Sequence, residues 1–111
     1  DFLNLVLQAR TDLQPESLLD TCQIIEKALG RKRPSAHRTI DIDILYYGSI
    51  VLSKKNLEIP HPRLHQRQFV LVPLQEISPD FLDPAKKKTI QNLLMNCQDR
   101  SRVSRLVGSH P

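Results

Sequence analysis

Aromatic residues are scarce in this chain: Phe2, Phe69, Phe81, Tyr46 and Tyr47 are all of them. So few rings give poor support to a nucleic-acid platform that stacks successive bases. No apolar run approaches the roughly 18 residues that a membrane-spanning helix needs. The chain passes from Asp1 to Arg10 without a long apolar core, so nothing there resembles a signal peptide. A cytoplasmic location is expected from these absences. The two cysteines, Cys22 and Cys97, form no C-x-x-C pair. Both sit in helix-like apolar patterns, which suits buried thiols of a reducing compartment better than a disulfide framework. The loop G-x-x-x-x-G-K-[ST] is missing, so any phosphate site here is not a P-loop. There is no internal repeat and no low-complexity segment.

What is present has ordinary globular proportions. The 111 residues support one domain, with 40% apolar and 25% charged residues. Sixteen basic and twelve acidic residues leave a net charge of +4. That balance suits an anionic small molecule and would also suit nucleic acid. Ten of the sixteen cations fall in three places: Arg31, Lys32, Arg33 and Arg38; Lys86 to Lys88; and Arg100, Arg102 and Arg105.

Along the chain, Phe2 to Leu13 alternates imperfectly and reads as a strand. Gln14-Pro15-Glu16 starts a helix, with proline early and an acid in the first turn. Leu18, Leu19, Cys22, Ile25 and Leu29 recur at helical spacing, and Gly30 is placed to end the helix. A basic loop, 31–38, leads into a strand over 39–47, a turn at Gly48-Ser49 and Ile50-Val51-Leu52, together a β-hairpin. Leu57 to Pro60 is a short extended piece, and 61–67 a loop or helical turn. Phe69 to Leu74 is an apolar run packed on both sides. Ser78-Pro79-Asp80 and Asp83-Pro84 are turns. Thr89 caps a last helix carrying Ile90, Leu93, Leu94 and Cys97. The expected class is α+β, a largely antiparallel sheet with helices on one side.

The chemistry concentrates at Arg38-Thr39-Ile40-Asp41-Ile42-Asp43-Ile44-Leu45. Isoleucines alternate with two aspartates, so one face is branched and apolar while the other carries two carboxylates about 6.6 Å apart at Cα. Like charges on one strand face repel, and a hard cation removes that repulsion. Mg²⁺ takes carboxylate oxygens and accepts water or phosphate as its other ligands. Arg38, three residues earlier, suits phosphate because its planar fork is always charged. The plain alternative is a solvated edge strand. Dipole complementation after a helix accounts for one or two of the four cations of the basic loop, not for all four.

The stretch Arg38 to Gly48, followed by Ile59-Pro60-His61-Pro62-Arg63-Leu64-His65-Gln66-Arg67-Gln68-Phe69-Val70-Leu71-Val72-Pro73-Leu74, resembles the 6-hydroxymethyl-7,8-dihydropterin pyrophosphokinases of folate biosynthesis. Asp1 to Asn4 and Gln23 to Glu26 match as well, so the resemblance runs from residue 1 to about residue 83. It implies a ferredoxin-like, mainly antiparallel sheet with helices packed on it. It implies a transferase, an ATP- and Mg²⁺-dependent diphosphokinase moving pyrophosphate from ATP to the hydroxymethyl oxygen of the dihydropterin and leaving AMP. Two Mg²⁺ ions would be held by Asp41 and Asp43. Arg31, Arg33 and Arg38 would meet the triphosphate as catalytic residues. Gln23, Glu26, Ile44, His61 and Arg67 match ATP-site positions. Asn4 matches a pterin hydrogen-bonding residue, Phe69 a pterin-stacking one, and Phe2 is a further candidate for that pocket. No residue is an obvious general base.

Two departures qualify the match. The family's loop before the signature arginine is longer and carries Trp-Gly-Pro; here it reads Pro34-Ser35-Ala36-His37-Arg38, with His37 as the candidate substitute. The family also begins well upstream, with a strand, a Gly-Ser-Asn turn, a helix, another strand and a Thr-x-Pro segment. Residues 1–98 are therefore expected to be the C-terminal portion of the domain, incomplete at its N-terminus, with 99–111 a polar tail. Its partners would be ATP and the dihydropterin, with the N-terminal segment or fused folate-pathway domains completing the polypeptide, and no membrane or nucleic acid.

Several residues have plainer readings. His61 and His65 could share a zinc ion on a helix, but Pro62 lies between them and no third ligand is suitably spaced. Asn4 can bond to a neighbouring loop, Phe69 can be core, and Gln23 and Glu26 can be solvated. The alternatives for the whole chain are an inactive portion, or a basic anion- or nucleic-acid-binding module with a structural cation site.

Overall fold

The computed structural model describes residues 4–31, 41–101 and 103. Phe2, Arg33 and Arg38 lie outside the described residues, as does the side chain of Arg31. The described chain separates into two compact units, one spanning residues 9–62 and one formed by residues 4–8 with those from Arg63 onward.

The unit of residues 9–62 is built on helix α1, Pro15–Arg31. Proline is favoured at a first helical position because its missing N–H would be unpaired there anyway. The Leu18 amide donates to the Gln14 carbonyl at 2.9 Å, closing the first turn. Glu16 sits in that turn, where a carboxylate favours the dipole. Cys22 is buried and Leu18, Leu19 and Leu29 are half-buried, so the expected stripe exists. Ile25, expected within it, is 43% exposed, and Ile24 beside it 66%. Gly30 does not end the helix, which runs on to Arg31. Glycine costs a helix entropy but imposes no steric stop.

The sheet is an antiparallel hairpin of β1, Leu52–Lys54, and β2, Leu57–Ile59, pairing Leu52 with Ile59, Ser53 with Glu58 and Lys54 with Leu57. Leu57 and Ile59 are buried on one face while Glu58 between them is exposed. A two-stranded hairpin is marginal alone and needs such a buried face. Burying each of these side chains contributes roughly 1.5–3 kcal/mol.

This corrects the expected hairpin. The turn at Gly48-Ser49 does form, with the Ile50 amide bonded to the Tyr47 carbonyl at 3.1 Å and Gly48 at φ 54°. A positive φ is what glycine tolerates there. Its flanks do not pair, and 41–47 belongs to no ladder. Likewise 4–13, read as a strand, holds no regular element among the described residues, and Leu5 and Leu7 are 75% and 77% exposed. Alternation specifies a face; a ladder also needs a neighbouring backbone. The sheet observed is smaller than the ferredoxin-like sheet expected, while the α+β class holds.

The other unit packs α2, Gln68–Ile77, on α3, Ile90–Met95, with a 3-10 turn at Leu64–Gln66 against α2. Leu64, Leu71, Leu74, Ile90 and Leu93 form its core. The apolar run 69–74 is thus helical. Leu71 and Leu74 share a buried face three residues apart, and Pro73 is accommodated inside the helix. A short run apolar on every side cannot be assigned from periodicity. Thr89 caps α3 as expected, accepting from the Asn92 amide at 3.1 Å. The helix closes at Met95, before Cys97, with the Asn96 amide bonded to the Asn92 carbonyl. Both cysteines are free thiols, Cys22 buried and Cys97 half-buried.

Asp83, 2% exposed, organises the loop into α3. Its Oδ1 accepts from the Ala85 and Lys86 amides, each at 2.8 Å. The Asp83 amide and carbonyl bond to Lys88 and Lys87, which lets Leu82 bridge Thr89. Replacing Asp83 by alanine strands two amide donors and is expected to destabilise this unit by about 1–3 kcal/mol. Urea denaturation should show the lowered midpoint, and Asp83→Asn, which keeps an acceptor oxygen, should restore most of it.

Candidate nucleotide and metal site

The acidic segment keeps its alternation although it lies in no sheet. Asp41 and Asp43 are exposed, while Ile42 and Ile44 are half-buried. The backbone is held from two sides. The Ile42 amide donates to Glu26 Oε2 of α1 at 2.6 Å. The His61 amide donates to the Leu45 carbonyl at 2.9 Å. The Tyr47 hydroxyl donates to the Leu13 carbonyl, tying the far end of the segment to the approach to α1.

These ties place Ile42, Asp43, Ile44 and His61 along one cleft of about 260 Å³. Its other wall is the hairpin, contributing Lys54, Lys55 and Asn56, with Leu19 from α1. The sequence pattern does not single out these hairpin residues, because it puts the turn at Gly48-Ser49. Asn56, a common turn residue between Leu52 and Leu57, was the available signal. Lys54 also pairs with Glu16, and this pair holds the exposed Glu16 carboxyl below its usual range. Burial pushes the Cys22 thiol up, and the charge of Glu26 adds to that shift.

The donor set suits a hard cation. Two exposed carboxylates supply oxygen ligands and leave its remaining positions to phosphate and water. Among the described residues no group of three or more His, Cys, Asp or Glu is arranged to hold a metal. A fully protein-ligated ion is thus not built here, and the zinc reading of His61 with His65 gains no support. Gln23 is exposed on α1, three residues before Glu26.

Arg67, Phe69 and Asn4 belong to the other unit. The Arg67 guanidinium lies 5.7 Å from the centroid of the Phe69 ring, a cation–π arrangement covering one ring face. Asn4 is exposed. A second cleft, about 500 Å³, is lined by His65, Gln66, Asn96, Gln98 and Asp99. Asp99, assigned to a polar tail, is docked. It accepts from the Gln68 amide at 2.9 Å, capping α2 from outside, and from the Ser101 amide at 2.9 Å. Those bonds, the Ser101 ones foremost, hold its carboxyl below the ordinary value.

The sequence model of the 7,8-dihydro-6-hydroxymethylpterin-pyrophosphokinases matches residues 1–79. The chain belongs to this family. It is 44% identical over 96 residues to a 2-amino-4-hydroxy-6-hydroxymethyldihydropteridine pyrophosphokinase of Synechocystis sp., covering 85% of this chain and 49% of that protein. It is 43% identical over 93 residues to a protein of the same name from Aquifex aeolicus, covering 82% and 58%. It is 36% identical over 104 residues to the folic acid synthesis protein FOL1 of Dictyostelium discoideum, covering 92% of this chain and 16% of that one. The chain thus spans between a sixth and three fifths of the length of these relatives. The matched region of this pyrophosphokinase family member contains the acidic segment, the hairpin and α2. No helix among the described residues is long and apolar enough to cross a membrane.

His65 supplies a pH test of the second cleft. Burial, then the nearby Lys86 charge, lower its pKa below 6.5, with Asp83 opposing. The unfolded chain binds this proton near the ordinary value, while the folded chain binds it only at lower pH. Its contribution to stability is therefore full above 6.5 and lost as pH falls through the folded value. Denaturation midpoints should fall on acidification in that window, and His65→Gln should flatten that part of the profile.

Proposed function

We propose that this chain carries the nucleotide and metal half of a transferase that moves pyrophosphate from ATP to 6-hydroxymethyl-7,8-dihydropterin in folate biosynthesis, releasing AMP. The observation that carries the reading is the exposed pair Asp41 and Asp43, flanked by half-buried isoleucines, within the region matched to the family. The names of the relatives support the same substrate class. The nucleic-acid-binding alternative draws no comparable support.

In this reading Asp41 and Asp43 hold Mg²⁺, two ions in the full complex. The bound metal neutralises phosphate charge and so eases attack at phosphorus. Ile44 and His61 contact the nucleotide from the cleft that they line with Asp43. Gln23, Glu26 and Arg67 are further nucleotide-site residues. Arg31, Arg33 and Arg38 meet the triphosphate, where a guanidinium stabilises charge developing between the α- and β-phosphates. Asn4 and Phe69, with Phe2, address the pterin. Arg67 lies over one face of the Phe69 ring. The hydroxymethyl oxygen bonds to the β-phosphorus as the bond between that phosphorus and the α–β bridging oxygen breaks; AMP leaves with the bridging oxygen and the hydroxyl proton passes to solvent. Positioning and electrostatics carry such a transfer without a dedicated strong base.

We place the activity in the cytoplasm, and in a longer polypeptide of which residues 1–98 form the C-terminal part of the domain and 99–111 a polar tail held at its start by the bond of Asp99 to the Gln68 amide. The partial coverage of the relatives supports this, and the low share of FOL1 fits fusion to other folate-pathway domains.

AMP release from ATP, Mg²⁺ and 6-hydroxymethyl-7,8-dihydropterin tests the reading, on this chain and on a version extended at its N-terminus. Activity is expected in the extended form. Asp41→Ala and Asp43→Ala should each lower it by on the order of a hundredfold or more, because several kcal/mol of charge stabilisation are lost. Absence of AMP in both forms sinks the proposal.

A further inference from the structure

The acidic segment has a backbone problem that its sequence does not reveal. Ile42 lies between the two aspartates, and its amide is a donor that a strand would give to a neighbouring strand. No ladder takes it. The Glu26 carboxylate does, at 2.6 Å, reaching from the middle of α1 across sixteen residues of sequence.

We infer that Glu26 is a positioning residue for the metal site: its carboxylate fixes the Asp41–Ile42 peptide and thereby the relative aim of the Asp41 and Asp43 side chains. The inference rests on the proposed function and adds to the nucleotide contact that family resemblance assigns to Glu26. The bond to Glu26 pins the Asp41–Ile42 peptide plane, and the bond from the His61 amide to the Leu45 carbonyl holds the segment beyond Asp43, so together they limit the directions in which the two carboxylates leave the backbone. A bond from an amide to an ionised carboxylate is short and roughly twice as strong as a neutral one. Glu26 is half-buried, on the same helix face as the buried Cys22 one turn earlier, so packing restrains its own geometry.

The competing role would be a third metal ligand. Oε2 of Glu26 accepts from the amide while Oε1 stays available, so the geometry of the group decides. Among the described residues Glu26, Asp41 and Asp43 do not form a group able to hold a metal. The arrangement is instead that of a supporting residue behind the ligands, a place where substitution commonly weakens metal binding by about 10–100-fold.

The two roles separate on substitution. Glu26→Ala removes the acceptor. Glu26→Gln removes the charge but keeps an oxygen that can accept from Ile42. Two quantities are measured for the wild-type chain and both variants: hydrogen exchange at the Ile42 amide by NMR, and affinity for Mn²⁺ by electron paramagnetic resonance, read without ATP as well as with it so that a lost nucleotide contact is told apart from a lost metal site. In Glu26→Ala, Ile42 should exchange about tenfold faster or more, and Mn²⁺ affinity should fall by about 10–100-fold. Glu26→Gln should recover most of both. Equal loss of Mn²⁺ affinity in the two variants would make Glu26 a ligand or a charge, and overturn the positioning role. Unchanged Mn²⁺ affinity in Glu26→Ala would also overturn it. Failure of the wild-type chain to bind Mn²⁺ with ATP would instead remove the proposed function, and the positioning role with it, so the two failures are distinct.

Discussion

The hydrogen bond from the Ile42 amide to Glu26 holds the unit of residues 9–62 to its chemistry. Helix α1 and the acidic segment meet through it, and the donor it satisfies would otherwise be left to water. An unmet backbone donor at a half-buried position is costly, so the segment has reason to stay against the helix. From there Asp41 and Asp43 remain exposed while Ile42 and Ile44 turn inward. The bond from His61 to Leu45 then brings the segment following β2 alongside, which is how His61 comes to share a cleft with Asp43. The electrostatics of the site thus depend on a backbone contact rather than on any direct pairing of its charges.

The second unit solves the same problem by the same means. Asp83 takes two backbone amides within its own loop, and Asp99 takes the first amide of α2 from a distance. In each case a carboxylate stands where regular secondary structure has run out of acceptors. Helix starts leave amides without partners, and an anionic oxygen there also favours the dipole. Three acidic residues that composition counts simply as charge are in this sense backbone partners.

Family membership gives the exposed carboxylates a context. Ile24 and Ile25 on α1 and Val51 before β1 are exposed in the unit of residues 9–62. Residues 41–44 have the alternation and the burial pattern of a strand, and among the described residues no strand pairs with them.

Residue order alone determined the family to which the chain belongs. Two aspartates at strand spacing after a cluster of basic residues, paired with the Pro60 to Leu74 signature, carry the resemblance from which the hard-cation and phosphate site is proposed. It also determined the local starts and stops whose cause is local: Pro15 opening α1, Thr89 capping α3 and Gly48 taking a positive φ. Tertiary structure decided which backbones pair. It moved the hairpin to Lys55-Asn56, made 69–74 a helix, docked Asp99, and turned Glu26 from a solvated helix carboxylate into the acceptor for Ile42. The reason is physical. Side-chain periodicity and capping are set within a few residues, whereas a hydrogen-bond partner for a strand or a helix end is supplied by whatever backbone or carboxylate the fold brings near.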